Sequence, residues 1–104
     1  MKLKDFKKGW LIGDFDPAIF RSKDIEVGIK SYEAGVIEPK HVHKITKEFT
    51  IVLSGRVRML GTEYKKGDVV FVDHGIENTF QSITKSLLLV IKTPSCPDDK
   101  YEVK

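Results

Sequence analysis

The sequence predicts an all-β domain, an antiparallel sandwich or barrel of about eight short strands. Three observations predict it. No segment of ten or more residues keeps a helical period. Apolar residues instead alternate over short runs or fill them completely, as half-buried and fully buried strands do. Glycine and proline punctuate these runs at close intervals, among them Gly35, Gly55, Gly67, Gly75 and Pro94.

The totals agree with a single folded unit. A chain of 104 residues suits one domain with a modest core. At 40% hydrophobic and 32% charged, it is neither disordered nor fibrous. The net charge of +3 is carried by scattered lysines, not by the basic stripe that nucleic-acid binding requires. Cys96 is the only cysteine, so no internal disulfide exists, and between Ser95 and Pro97 it reads as a bystander thiol. Charges and glycines break up the apolar residues of MKLKDFKKGWLIGDF, which is not the core of a signal peptide. No stretch has the length needed to cross a bilayer. The expectation is a cytoplasmic protein without a membrane or nucleic-acid partner.

Taken in order, residues 1–18 form an arm. Its Phe6, Trp10, Leu11, Ile12 and Phe15 dock either on their own domain or on a second subunit. Asp16-Pro17 marks a turn. A short strand at 18–21 is followed by a strand over 25–32, with Ile25, Val27 and Ile29 on one face. Glu33-Ala34-Gly35 turns the chain, and Val36 to Pro39 lead into a histidine-bearing strand, where proline is tolerated at an edge or a start. After a turn at 44–47, Glu48 to Ser54 place Glu48, Thr50 and Val52 on one side and Phe49, Ile51 and Leu53 on the other. That second apolar side needs a cover, and a homodimer formed through it and the N-terminal arm supplies one. Val57 to Leu60 turn near Gly61-Thr62 and return through Tyr64 as a hairpin. Lys65 to Asp68 turn into a strand over 69–72, and Asp73 to Gly75 turn again. Residues 78–83 alternate, and Leu87 to Ile91 form a wholly apolar, central strand. Pro94 and Pro97 end the regular structure, leaving a core over 19–93 and a polar tail over 94–104.

The chemistry concentrates between Gly35 and Gly55. His41 and His43 are alternate residues of one strand and share a face. A chain that turns at 44–47 and comes back brings Glu48 to the same pocket. Two imidazoles and one carboxylate leave open positions on a divalent metal. Thr50, on the face of Glu48, and Phe80, on the face of Asn78, are candidates for the pocket wall. Tyr32, Arg56 and Arg58 are candidates for its rim. His74, at a turn, is a further wall residue and the one independent general acid or base in view.

The spacing Gly35, five residues, His41, one residue, His43, four residues, Glu48, six residues, Gly55 resembles the first motif of the cupin superfamily. Gly67, the run Asp68 to Val72, and Gly75 resemble part of its second motif. The likeness covers residues 25–92. It implies a jelly-roll barrel, or double-stranded β-helix, with His41, His43 and Glu48 as metal ligands in its mouth. The second motif departs from the family pattern: Asp73 replaces a proline, Ser82 an asparagine, and Asn78 the histidine that serves as fourth ligand. Asn78 then stands as a weak fourth ligand through its amide oxygen, which favours iron, manganese or nickel over zinc. The resemblance implies a protein that acts on or binds a small polar molecule, an organic acid or a sugar-like compound. The alternative is a metal-free cupin that binds a small molecule or carbohydrate, or serves assembly, without catalysis. It leaves the reaction open.

Overall fold

In the computed structural model, which describes residues 1–104, the short apolar runs become eleven strands. These are β1 (Trp10–Gly13), β2 (Phe20–Arg21), β3 (Glu26–Tyr32), β4 (Ile37–Val42), β5 (Lys47–Ser54), β6 (Arg56–Met59), β7 (Thr62–Lys65), β8 (Val69–Val72), β9 (Asn78–Ser82), β10 (Ser86–Thr93) and β11 (Tyr101–Glu102). Two short 3-10 turns, Leu3–Asp5 and Lys7–Gly9, precede them. No helix is long and apolar enough to cross a membrane.

The strands make two sheets that face each other, not one closed barrel. One sheet runs β2-β1-β3-β10-β5-β8 and the other β11-β4-β9-β6-β7. All neighbours are antiparallel except β1 and β2. β10 holds the centre of the larger sheet because both its faces are apolar, so it can be covered on each side. Its Leu88 and Val90 turn inward and join Val52, Val70 and Val72 of the same sheet. Val57, Met59 and Phe80 meet them from the other sheet and complete the core. Gly35 and Gly55, which frame the histidine stretch, sit at φ of +81° and +82°, backbone that a side chain strongly disfavours.

Two segments go beyond the sequence expectations. The arm docks on its own domain, and it does so as a strand: β1 pairs with β3 beside Gly28. A Cβ on Gly28 would lie 2.6 Å from the Trp10 ring, so glycine is what lets the indole press onto the sheet. The tail does not stop at Pro97. It returns as β11, pairing Tyr101 with Val42 and Glu102 with His41, and covers the edge of the histidine strand. An unpaired strand edge is a hazard, and the last residues remove it here.

Candidate metal site and its cavity

The site begins with the pairing of β4 and β9. His41 lies opposite Asn78, and Glu38 lies opposite Phe80. Two residues on β4, Pro39 and Lys40, therefore oppose one on β9, Thr79, which makes a bulge. Its effect is to turn Glu38 and His41 into the same space although they are an odd number apart. His43 follows the end of β4, and the chain reverses over Lys44 to Thr46 into β5, which carries Glu48.

The reversal is held by Asp99, from the tail, which is only 2% exposed. Its carboxylate accepts the backbone N–H of Lys44 at 3.0 Å, of Ile45 at 2.9 Å and of Thr46 at 2.9 Å. Its backbone carbonyl accepts the Nδ1 proton of His43. A carbonyl cannot donate, so Nδ1 carries the hydrogen and Nε2 carries the lone pair. His41 is oriented in the same way, its Nδ1 donating to the Pro39 carbonyl at 3.3 Å. Both imidazoles thus turn Nε2 away from the backbone, the arrangement that ligating histidines use.

His43 Nε2 points at Glu48 Oε2, 3.7 Å away, an ion-pair distance too long for a hydrogen bond. One ligand atom from each of His41, His43 and Glu48 lies within 4.8 Å of the others, and all three residues are buried. Three buried side-chain polar atoms have no hydrogen-bond partner. Two are His43 Nε2 and Asn78 Oδ1, in this cluster, and the third, Thr46 Oγ1, lies in the adjacent turn. Burial lowers the pKa of His41, with Lys100 and His43 adding to the effect against the Pro39 hydrogen bond, which keeps the ring neutral and able to ligate. Burial opposes ionisation of Glu48, but the His43 ring, Lys92 and His41 outweigh it and hold its carboxyl below the usual range. Two imidazoles that turn Nε2 toward an ionised carboxylate fit a divalent cation.

The cluster opens into a cavity of about 460 Å³ between the two sheets and the arm. Thr50 and Phe80 line it, with Met59, Leu88 and Val90. Asn78 lines it too and is 3% exposed. Tyr32 reaches inside, stacks on Phe80 at 4.5 Å between ring centroids, and donates its hydroxyl to Glu38 at 2.7 Å. Burial and the Glu38 carboxylate push the Tyr32 phenol upward.

His74 does not join them. It sits on the turn before β9, exposed, with its ring on Asp73 at 2.8 Å. A glycine turn separates it from the strand that carries Asn78, so it is neither a wall residue nor placed to move a proton in the cavity. Arg56 and Arg58 are also exposed, the former 3.6 Å from Glu63. Sequence reasoning missed other lining residues: Trp10, Glu38 and five lysines, Lys7, Lys8, Lys30, Lys92 and Lys100. For Lys30 the alternation misled, since it lies on the face of β3 opposite the apolar Val27 and Ile29, which reads as the solvated one but turns inward. For Asp99, within a polar tail, no signal existed.

No protein-family profile matches the sequence, and no curated protein does. Solved structures do match. A double-stranded β-helix protein from Klebsiella pneumoniae superposes with a TM-score of 0.71 at 18% identity, over 83% of this chain and 81% of that one. An RmlC-like cupin from Desulfovibrio desulfuricans gives 0.65 at 21% identity, over 73% and 77%. Oxalate decarboxylase from Bacillus subtilis, described with Mn(II) centres, gives 0.64 at 22% identity over 78% of this chain, which spans 24% of that longer one. The likeness establishes the fold: this chain is built as cupin, double-stranded β-helix proteins are.

Proposed function

We propose that this cavity holds one divalent metal on His41, His43 and Glu48, with the Asn78 amide oxygen as a weak fourth ligand, and that a small polar organic molecule binds beside it. The observation that carries the reading is the pair of buried, partnerless atoms, His43 Nε2 and Asn78 Oδ1, beside a carboxylate. Leaving such an atom unpaired costs about 1–3 kcal/mol, and a bound cation removes that cost. Two imidazoles with two oxygen donors suit manganese, iron or nickel better than a closed zinc site. The Mn(II) centres of the oxalate decarboxylase that shares this fold support the choice.

When bound, such an ion supplies Lewis acidity toward an oxygen of the ligand. The protein supplies the rest. The carbonyls of Asp99 and Pro39 fix the two imidazoles, Thr50 and Phe80 wall the ligand from water, and the Tyr32–Glu38 pair presents a polar contact across the cavity. Elemental analysis of protein purified without chelator or nickel resin tests the reading. Near-stoichiometric manganese, iron or nickel, lost in His41→Ala, is the expected result. Wild-type protein that carries no metal, and whose melting temperature ignores all three ions, contradicts it. Asn78 at the position of the family's fourth histidine favours a second reading, a metal-free binding protein, and that outcome would select it.

The same proposal includes a second copy of the chain on the outer face of the larger sheet. Leu89, Ile51 and Val69 form one cross-strand row there, and Ile91, Phe49 and Phe71 the next. Leu53, at 37% exposed, Val69 at 60% and Phe71 at 55% extend the patch without a charge inside it. Homodimer interfaces are apolar in this way, and such patches are uncommon on monomers. The arm takes no part in our version of this interface, because its inner residues wall their own chain's cavity.

A further inference from the structure

We infer that the ligand of this cavity is a small organic carboxylate, and that Lys30 and Lys92, astride Trp10, form the subsite for its anionic group. The inference rests on the proposed function only in placing the ligand in this cavity; the lysine subsite does not need the metal.

Both lysines occupy inward positions of the larger sheet. Lys30 shares a row with the buried Leu88 and Val52. Lys92 lies between Glu26 and Glu48 in another row. Inward positions of a two-layer β fold are normally apolar, and lysine is among the residues least often buried without a partner. Neither amine has a carboxylate within ion-pair distance, although Glu48 stands beside Lys92 and its carboxyl is lowered by that charge. Glu26 is committed elsewhere, accepting from Ser95 Oγ at 3.0 Å and from the Cys96 N–H at 2.8 Å. Glu38 is committed to Tyr32 at 2.7 Å and Lys100 at 3.7 Å. Of the five lysines lining the cavity, only Lys100 makes a salt bridge.

What Lys30 and Lys92 share is one indole. Their amines stand 5.0 Å and 4.9 Å from the Trp10 ring centroid, within cation–π range. The Lys8 carbonyl, from the arm, accepts one Lys30 proton at 2.7 Å and leaves that amine two more to donate. Burial lowers the pKa of Lys30; Glu38 opposes this, and Lys8, Lys92 and Lys100 reinforce it. Five lysines stand around the opening against the four carboxylates of Asp16, Glu26, Glu38 and Glu48, and the repulsion left among the lysines eases when an anion enters. A neutral sugar would leave that repulsion in place, so of the two ligand classes the organic acid is favoured. The apolar walls of Trp10, Phe80, Met59 and Leu88 call for a carbon skeleton behind the charge.

Calorimetric titration with succinate, its uncharged analogue succinamide, and inorganic phosphate tests this. Lys30→Met and Lys92→Met keep the aliphatic stem and remove the charge, Lys30→Arg restores a charge, and Lys66→Met, on an exposed turn, is the control. Wild-type protein should bind succinate at least about tenfold tighter than succinamide, each methionine variant should lose about tenfold, and Lys30→Arg should recover most of it. Equal binding of succinate and succinamide overturns the inference, as does unaltered succinate binding by both methionine variants. Phosphate binding as tight as succinate binding overturns the carboxylate assignment. Repeating the titration after chelation separates the two proposals. Discrimination that persists in metal-free protein sustains the lysine subsite even if elemental analysis defeats the metal, and a loaded metal without discrimination defeats the subsite alone.

Discussion

Replacing Asp99 by alanine removes one buried carboxylate and strands three backbone donors at the turn between His43 and Glu48. Hydrogen bonds to a charged group contribute about 1.5–3 kcal/mol each, but the full sum does not apply here. Lys44 and Ile45 are exposed, so water replaces the carboxylate at their N–H groups, and deleting the carboxylate also relieves its own desolvation. Thr46 is buried and its N–H stays unpaired. A net loss of about 2–4 kcal/mol follows, which for a domain near this size lowers the melting temperature by about 10–20 °C. Urea denaturation followed by Trp10 fluorescence reads it as a drop in midpoint at unchanged m-value. The pH dependence is a second readout. Burial pushes the Asp99 carboxyl up, but the three N–H donors outweigh it and hold the group below its ordinary value. Its contribution is therefore complete above the unfolded-chain pKa of about 3.9 and is lost as pH falls through the lower folded value. The gap between wild type and Asp99→Asn should be constant near neutrality and close only in acid. An Asp99→Ala variant within about 0.5 kcal/mol of wild type, the range of ordinary surface changes, would refute this account of the turn.

Three other outcomes are expected. Asn78→His should supply a third imidazole, as fourth ligand, opposite His41 and tighten manganese or nickel binding by about tenfold or more, read by chelator competition; unchanged or weaker affinity would place Asn78 away from the ion. Tyr32→Phe removes the hydroxyl that Glu38 accepts and should cost about 1 kcal/mol in denaturant melts while leaving metal content intact; loss of the metal would show that Tyr32 supports the ligands. Ile51→Glu, at the centre of the outer apolar rows, should convert a dimer to a monomer in light scattering at micromolar concentration; a wild-type chain that is already monomeric there would defeat the interface.

The alternating runs made most of the fold legible before any coordinates. Leu87 to Ile91, wholly apolar, suited a central strand, and the single-residue gap between His41 and His43 set both on one face. Their convergence with Glu48 followed from one turn and one strand return, both of which occur. Longer-range features were not legible. Glu38 enters the cavity only because β4 carries a bulge, and a one-residue shift of this kind reverses which face a side chain takes. Asp99 holds a turn 53 to 55 residues away in the chain, and nothing local to PDDKYEVK announces it. Lys92 ends an apolar strand and reads as its solvated terminus until pairing sets it between Glu26 and Glu48. His74 failed for a local reason: Asp73 is adjacent and captures its ring.

The most direct test of the metal centre is anomalous diffraction from a crystal grown or soaked with manganese. The account predicts one anomalous peak within bonding distance of His41 Nε2, His43 Nε2 and a Glu48 carboxylate oxygen, with the Asn78 amide oxygen facing it. A cavity without such a peak, or a peak held by other residues, would contradict it.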